Sequence, residues 1–291
     1  MFSGVLTAIV TPFKNGKVDY DALEKNIAFQ HANGVDAIVP CGTTGESPTL
    51  TYDEHEEIIE FSVARAKGKM QVLAGTGSNS TDEALRFTAH AKKVGADGAL
   101  IVTPYYNKPT QKGLYLHFKK IADSVDIPIM IYNIASRTGV NVETSTLTKL
   151  AHDCKNIVSV KEASGNLEQM GQVICANPEM SVISGDDTLT LPLMAVGGLG
   201  VVSVLSNIIP QDVVSMVKAF KVGDTKKAKE LHLKMLPLAK AMFIETNPQP
   251  IKTAMSLLGH CEAEVRLPMC EMEEANKAKL VEALKNYGLK V

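Results

Sequence analysis

Eight short apolar runs, most of them rich in valine and isoleucine, are the feature that most limits how this chain can fold. They occupy residues 5–10, 37–40, 71–74, 98–103, 127–132, 157–160, 181–184 and 201–205. Nearly continuous apolar strands of this length are typical of a parallel sheet that is buried on both faces. The segments between the runs carry helical patterns, so the sequence predicts a repeated strand–helix unit.

Local signals at the ends of the predicted helices support this unit. Thr51 and Ser80 are each followed, three residues later, by a glutamate, which is the pattern of a capping box at a helix start. Two helices end at a glycine, Gly34 and Gly95, and the chain then enters the next strand. Eight such units predict an α/β fold, a (β/α)8 TIM barrel. A doubly wound open sheet is the alternative, because periodicity alone cannot show closure.

The pattern changes after the eighth apolar run, and only helical patterns follow. They cover residues 211–222, 224–244, 250–258 and 271–287. The first of these helices would complete the barrel, and the others predict a C-terminal helical extension. We therefore predict a catalytic barrel over residues 1–223 and a helical domain over residues 224–291.

Composition and charge exclude several classes of protein. Hydrophobic residues make up 45% of the chain and charged residues 21%, which is ordinary for a globular protein. The net charge is −2 and there is no basic block, so nucleic-acid binding is not expected. No apolar run approaches the roughly 18 residues of a membrane span. The first residues lack the pattern of a signal peptide, and we therefore expect a cytoplasmic protein.

Cysteine and histidine spacing gives no sign of a metal or a disulfide framework. The five cysteines are odd in number, widely spread and without a C-x-x-C pair, which indicates reduced thiols. The seven histidines show no H-E-x-x-H or facial-triad spacing. We expect no metal and no cofactor.

Lys161 is the most unusual residue, because it ends the apolar run at 157–160. At the reference pKa only about one lysine in ~2500 is neutral at pH 7. Lowering that pKa to ~7–8 takes roughly 3–5 kcal/mol, which burial and neighbouring charges can supply. A neutral amine at a barrel mouth is suited to imine formation. The alternative is a lysine that snorkels from the rim or pairs with a structural carboxylate.

Other polar residues follow the predicted strands at the same rim. Tyr132 ends one strand, where its hydroxyl could exchange protons with a neutral lysine. Arg137 lies in a glycine-containing turn and could clamp a carboxylate. The segment Gly-Thr-Thr-Gly-Glu-Ser at 42–47 lacks the Gly-Lys-Ser/Thr ending of a P-loop. The segment Gly-Thr-Gly-Ser-Asn-Ser at 75–80 has serine where a dinucleotide-binding fingerprint has its third glycine, so it fits a tight turn before a capped helix better.

Four segments together resemble the dihydrodipicolinate synthase family, and the resemblance covers essentially the whole chain. They are Gly-Thr-Thr-Gly-Glu-Ser at 42–47, Thr-Pro-Tyr-Tyr-Asn at 103–107, Tyr-Asn-Ile-Ala-Ser-Arg-Thr-Gly at 132–139 and Val-Lys-Glu-Ala-Ser-Gly at 160–165. The tyrosine–lysine arrangement alone marks the wider superfamily of pyruvate aldolases, with N-acetylneuraminate lyase as the alternative. Ala135 stands where the family usually has proline, which predicts a looser turn with unchanged chemistry.

The resemblance implies the condensation of pyruvate with L-aspartate 4-semialdehyde. Lys161 would attack C2 of pyruvate and form an imine, and loss of a methyl proton would give an enamine. That enamine would add to the aldehyde, and cyclisation by the semialdehyde amine would release Lys161. Tyr132, Thr44 and Tyr106 would form the proton relay.

The resemblance also implies which residues bind the substrates. Thr43 and Thr44 would hold the pyruvate carboxylate, and Arg137 would orient the carboxylate of the semialdehyde. Gly185 and Val202 would line the pocket and leave space for pyruvate.

Regulation and assembly are implied in the same way. The lysine-feedback pocket of the family maps to Pro48, Tyr52, His55, Asn79, Glu83 and Tyr105, which implies lysine as an effector of weak to moderate strength. The family implies a homotetramer built as a dimer of dimers, with Tyr106 lent by the neighbouring subunit of a tight dimer. A pyruvate-binding regulator with little turnover is the alternative from another functional class, and the Tyr132–Lys161 pair disfavours it.

Overall fold

The computed structural model describes residues 2–291, and in this part of the chain eight parallel strands close into a barrel. The strands are β1 (Gly4–Thr7), β2 (Ala37–Ile38), β3 (Gln71–Gly75), β4 (Gly98–Val102), β5 (Ile129–Asn133), β6 (Ile157–Glu162), β7 (Ser181–Ser184) and β8 (Gly200–Ser203). Each strand pairs with the next along the chain, and β8 pairs with β1. The predicted barrel is therefore confirmed, and the open sheet is excluded.

Helices alternate with the strands and then continue alone. They are α1 (Tyr20–Ala32), α2 (Tyr52–Ala66), α3 (Thr81–Val94), α4 (Gln111–Ser124), α5 (Ala135–Thr138), α6 (Thr144–Asp153), α7 (Leu167–Ala176), α8 (Thr190–Ala195), α9 (Pro210–Lys221), α10 (Thr225–Ala241), α11 (Gln249–Leu257) and α12 (Glu274–Tyr287). A short hairpin pairs Phe13–Lys14 with Lys17–Val18 after β1. The predicted helices of the C-terminal extension are confirmed, with ends that differ by a few residues.

One of the two predicted capping boxes forms and the other does not. The Thr51 side chain accepts from the backbone N–H of Glu54, and the Glu54 carboxylate accepts from the backbone N–H of Thr51. At α3 the Ser80 hydroxyl does accept from the N–H of Glu83. The Glu83 carboxylate, however, accepts from the Ser78 hydroxyl at 2.8 Å. The second prediction was wrong because the Ser78 hydroxyl binds both groups: it donates to the Glu83 carboxylate and accepts from the backbone N–H of Ser80 at 3.1 Å.

The C-terminal extension shares an apolar core with the first and last strands. Val5 of β1 and Val201 of β8 lie in one buried cluster with Met235 of α10, Ile251 of α11 and Leu280 of α12. Each fully buried side chain of this size stabilises the fold by about 1.5–3 kcal/mol. The extension is thus packed firmly against the barrel, and the domain division at residue 223 stays a prediction.

Within residues 2–291, the helices are all too short or too polar to cross a bilayer.

Candidate active site

The register of the barrel strands turns Lys161 towards the barrel interior. Lys161 of β6 pairs with Tyr132 of β5 on one side and with Ile183 of β7 on the other. Tyr132 in turn pairs with Val102 of β4. Residues paired in register point to the same face of a sheet. Tyr132 and Ile183 belong to the apolar cluster inside the barrel, so the lysine stem lies in that layer too.

Lys161 is buried and lacks a charged partner. Its side chain is 6% exposed, and its Nζ lies 3.9 Å from the ring centroid of Tyr132. Among the residues described, no carboxylate oxygen lies within 4.0 Å of this nitrogen. The pKa of Lys161 is lowered to about 7, chiefly by burial; Asp187 opposes this shift and the Arg137 charge adds to it. Both alternatives for this lysine, a snorkelling head and a structural ion pair, are excluded.

Asp187 is the acid whose charge acts on the pKa of Lys161, and its carboxylate oxygens already accept hydrogen bonds from other groups. Its carboxylate accepts hydrogen bonds from the Ser203 hydroxyl at 2.5 Å and from the backbone N–H groups of Val204 and Leu205 at 2.9 and 3.1 Å. These contacts hold the turn after β8 in place. The spacing of Asp187 along the sequence gave no sign of this role.

Tyr132 keeps its proton at neutral pH. Burial raises the pKa of its hydroxyl to about 12, although the Arg137 charge and the Thr43 hydroxyl both act in the opposite direction. A protonated phenol beside a near-neutral amine can give a proton to a leaving oxygen and take it back later.

The loop after β2 brings Thr43 and Thr44 to the rim, and the C-terminal extension fixes it there. Thr44 is buried, and its hydroxyl accepts from the side-chain amide of Asn247 at 3.1 Å. Arg137 donates to the backbone carbonyl of the same Asn247 at 3.1 Å. Asn247 therefore joins two predicted site residues, and sequence reasoning missed it because it is about 200 positions from Thr44.

A cavity of about 630 Å³ opens at this rim between α5, the loops after β6 and β7, and the end of α10. Arg137, Gly185 and Asn247 line it. A Cβ added to Gly185 would lie 3.0 Å from Cε of Lys161, so only glycine leaves the lysine its space. Val202 is buried inside the barrel in the same apolar cluster as Tyr132.

Tyr106 differs from the other predicted catalytic residues, Lys161, Tyr132 and Thr44, which are all buried. It is 90% exposed, and its φ of +71° lies in the left-handed region, where residues other than glycine are strained. The backbone thus directs a large aromatic side chain outward.

A second cavity, of about 550 Å³, lies beside the first. Five of the six residues predicted to bind lysine line it: Pro48, Tyr52, His55, Glu83 and Tyr105. Asn79 does not line it, and its backbone carbonyl accepts from the side-chain amide of Asn107 at 2.8 Å. Arg137 lines both cavities, so the two sites share a wall.

His55 and Glu83 give this second cavity its polar character. Burial lowers the pKa of His55 to about 4, so the ring is neutral at pH 7. Its Nε2 donates to the Gly75 carbonyl at 2.7 Å, and the ring stacks on Phe87 with centroids 4.0 Å apart. Glu83 adds a carboxylate to the same wall.

In the part of the chain that the structure describes, no three His, Cys, Asp or Glu side chains are grouped so that they could hold a metal ion.

Comparison with known proteins gives one consistent family. The sequence model of the Dihydrodipicolinate synthetase family matches residues 1–287. The 4-hydroxy-tetrahydrodipicolinate synthase of Endomicrobium trichonymphae is 65% identical over 289 residues, which are 99% of each chain. The crystal structure of dihydrodipicolinate synthase from Aquifex aeolicus superposes with a TM-score of 0.98 at 55% identity, over 99% of each chain. The enzyme of Cyanidioschyzon merolae with lysine bound has a TM-score of 0.97 at 45% identity, again over 99% of each chain.

Proposed function

The chain belongs to the dihydrodipicolinate synthetase family, and from this premise we propose how its barrel mouth performs the reaction. The activity is that of a 4-hydroxy-tetrahydrodipicolinate synthase, a lyase of the imine-forming aldolase type. It condenses pyruvate with L-aspartate 4-semialdehyde in the diaminopimelate route to lysine. One observation carries the assignment of roles: Lys161 is buried beside Tyr132 without a carboxylate partner.

Lys161 is the nucleophile. With a pKa of about 7, close to half of its side chains are neutral at neutral pH, and the lone pair is free to add to C2 of pyruvate. Water leaves as the imine forms, and loss of a proton from C3 gives the enamine. The enamine C3 bonds to the aldehyde carbon of the second substrate. Attack of that substrate's amine on C2 then displaces Lys161 and regenerates the free side chain.

Tyr132 handles the protons of these steps together with Thr44. The Tyr132 hydroxyl is protonated at rest, so it can donate to the oxygen that leaves C2 as water. The Thr44 hydroxyl is held in place by Asn247, which orients its lone pairs.

Tyr106 completes the relay from a neighbouring subunit in a homotetramer built as a dimer of dimers. Its exposure and left-handed backbone support this role, because the side chain extends away from its own chain, where a neighbouring subunit can receive it.

Two sets of groups bind the substrates. Thr43 and Thr44 take the carboxylate of pyruvate through hydroxyl and backbone groups. Gly185 and Val202 line the space around C2: the absence of a side chain at Gly185 leaves room for pyruvate, and Val202 forms a short apolar wall. Arg137 binds the carboxylate of the semialdehyde, and its position in the wall of the 630 Å³ cavity supports this.

We propose that lysine is an effector of this enzyme and binds in the 550 Å³ cavity. Glu83 would pair with an ammonium group, and neutral His55 adds no opposing positive charge at pH 7. The relative from Cyanidioschyzon merolae, whose structure contains lysine, supports this assignment. The shared wall at Arg137 gives a route by which occupancy could alter turnover. The cytoplasmic location predicted from the sequence stays a prediction.

Turnover of the purified chain tests the proposal. We expect rapid product formation with pyruvate and aspartate semialdehyde, and none with pyruvate and N-acetylmannosamine. Turnover with the second pair alone would assign an N-acetylneuraminate lyase, and binding of pyruvate without turnover would assign a regulator. Activity that stays flat up to millimolar lysine would remove the effector assignment only.

A further inference from the structure

The loop that carries Thr43 and Thr44 is strained at both ends. Cys41 and Glu46 both have φ of +55°, in the left-handed region, and neither is glycine. Such residues persist only where the surrounding structure enforces the conformation. The loop therefore needs something outside itself to hold it.

The C-terminal extension supplies that hold at Glu46. One carboxylate oxygen of Glu46 lies 2.6 Å from Nζ of Lys252 in α11, and both side chains are almost fully buried. The other oxygen accepts from the backbone N–H of Arg266 at 3.1 Å. The Lys252 nitrogen also lies 4.2 Å from the ring centroid of Phe13. Both oxygens of the loop's last residue are thus bound by the extension.

A further set of contacts joins the extension to the segment that follows the loop. The Arg266 guanidinium binds both carboxylate oxygens of Glu54 at 2.7 Å and donates to the Thr49 carbonyl at 3.1 Å. The extension therefore binds the chain on the C-terminal side of Thr44 through Arg266, and Asn247 of the same extension donates a hydrogen bond to Thr44 itself.

A buried ion pair is a costly way to stabilise a fold, because apolar residues of similar size often serve as well. Because Glu46 belongs to the loop assigned to pyruvate, the position of the ion pair indicates that it fixes the conformation of this loop. We propose that the Glu46–Lys252 pair is a positioning clamp, through which the C-terminal extension sets the geometry of Thr43 and Thr44 and so the affinity for the pyruvate carboxylate. The clamp rests on the proposed function, since it acts through the loop assigned to pyruvate.

Steady-state kinetics of Lys252→Met tests the clamp, since this variant keeps the apolar stem but removes the ammonium group. We expect KM for pyruvate to rise about 10- to 100-fold, the range that a small misplacement of binding groups produces. The kcat at saturating pyruvate and its pH profile stay near the wild-type values, because Lys161 is untouched and Asn247 still holds the Thr44 hydroxyl that belongs to the proton relay. The matched control is Lys234→Met, which removes a half-exposed lysine 2.8 Å from Asp212, and it leaves KM unchanged.

The double variant Glu46→Gln/Lys252→Met separates positioning from folding. Removal of both charges leaves no unpaired buried ion, so this variant decides the question if Lys252→Met alone fails to fold. A clamp predicts raised KM with thermal stability near that of the wild type. A wild-type KM in either folded variant would overturn the clamp. Failure of the wild type to form a borohydride-reducible adduct at saturating pyruvate would overturn the proposed function instead.

Discussion

Two lysines in this chain are both buried against an aromatic ring, but we assign one to catalysis and the other to a structural ion pair. Lys161 is 6% exposed and lies 3.9 Å from the ring centroid of Tyr132, and Lys252 is 0% exposed and lies 4.2 Å from that of Phe13. Lys252 has the Glu46 carboxylate at 2.6 Å, whereas Lys161 has only Asp187, whose oxygens are occupied elsewhere.

The partner, and not the burial, decides which lysine can be a nucleophile. Burial lowers the pKa of both side chains. At Lys252 the Glu46 carboxylate opposes the shift and favours the ammonium form, which has no lone pair to offer. At Lys161 the more distant Asp187 also opposes the shift, but no carboxylate is in contact with the amine, and the Arg137 charge adds to the shift. A search for catalytic lysines should therefore look for a buried amine without an acid in contact.

The largest difference between the two lysines should appear in turnover. Lys161→Met should lower kcat by at least about 10⁴-fold, since removal of a nucleophile costs this much or more in other enzymes. Lys252→Met should keep kcat within about twofold at saturating pyruvate. Steady-state assays of both purified variants check this, and comparable losses of kcat in the two would remove the distinction.

The pH dependence of stability should differ next most. The pKa of Lys161 is about 7 in the folded chain and near 10.5 unfolded, so below pH 7 folding must bury a charged amine. That cost is roughly 4–5 kcal/mol below about pH 7, falls as the pH rises, and vanishes above about pH 10.5. Lys161→Met should therefore gain the most stability at low pH.

Urea unfolding at two pH values measures this effect. The stability gain of Lys161→Met should be about 3 kcal/mol smaller at about pH 9 than at about pH 6. Lys252→Met should instead lose roughly 3–5 kcal/mol, because it leaves Glu46 buried without its partner. A gain for Lys161→Met that does not change with pH would contradict the lowered pKa.

Tyr132→Phe sharpens the comparison, because it keeps the aromatic ring over Lys161 and removes only the hydroxyl. We expect kcat to fall by about 10²–10³-fold, within the range for loss of a general acid–base group. The borohydride-trapped adduct should still form, more slowly. Rapid-quench measurement of adduct formation checks this, and a wild-type rate would assign the proton transfer to another group.

Arg137→Ala should have the smallest effect. KM for aspartate semialdehyde should rise about tenfold, the lower end of what hydrogen bonds to a charged group provide at a partly exposed site. The acid limb of the pH profile should also move to higher pH, because the Arg137 charge helps to lower the pKa of Lys161. An unchanged specificity constant for the semialdehyde would contradict the assigned role.

Most of the fold could be predicted because each strand carries its own signal. The run at 181–184 matches β7 (Ser181–Ser184) residue for residue. Other strands differ at their ends: the run at 5–10 contains β1 (Gly4–Thr7) but continues beyond it, because apolar residues also pack where the ladder has ended.

The site could be predicted only where its residues end strands. Lys161 and Tyr132 were found because a polar group terminates an apolar run. Asn247, Glu46 and Lys252 were missed because their contacts join positions about 200 residues apart. Lys252 left no clear signal either, because it lies in α11 between Ile251 and the polar Thr253.

Borohydride reduction with pyruvate, followed by peptide mapping, tests the central claim most directly. The account predicts a single permanent adduct on Lys161, with the mass of pyruvate less one water plus two hydrogens, and an unmodified Lys252. An adduct on any other lysine, or none at saturating pyruvate, would contradict it.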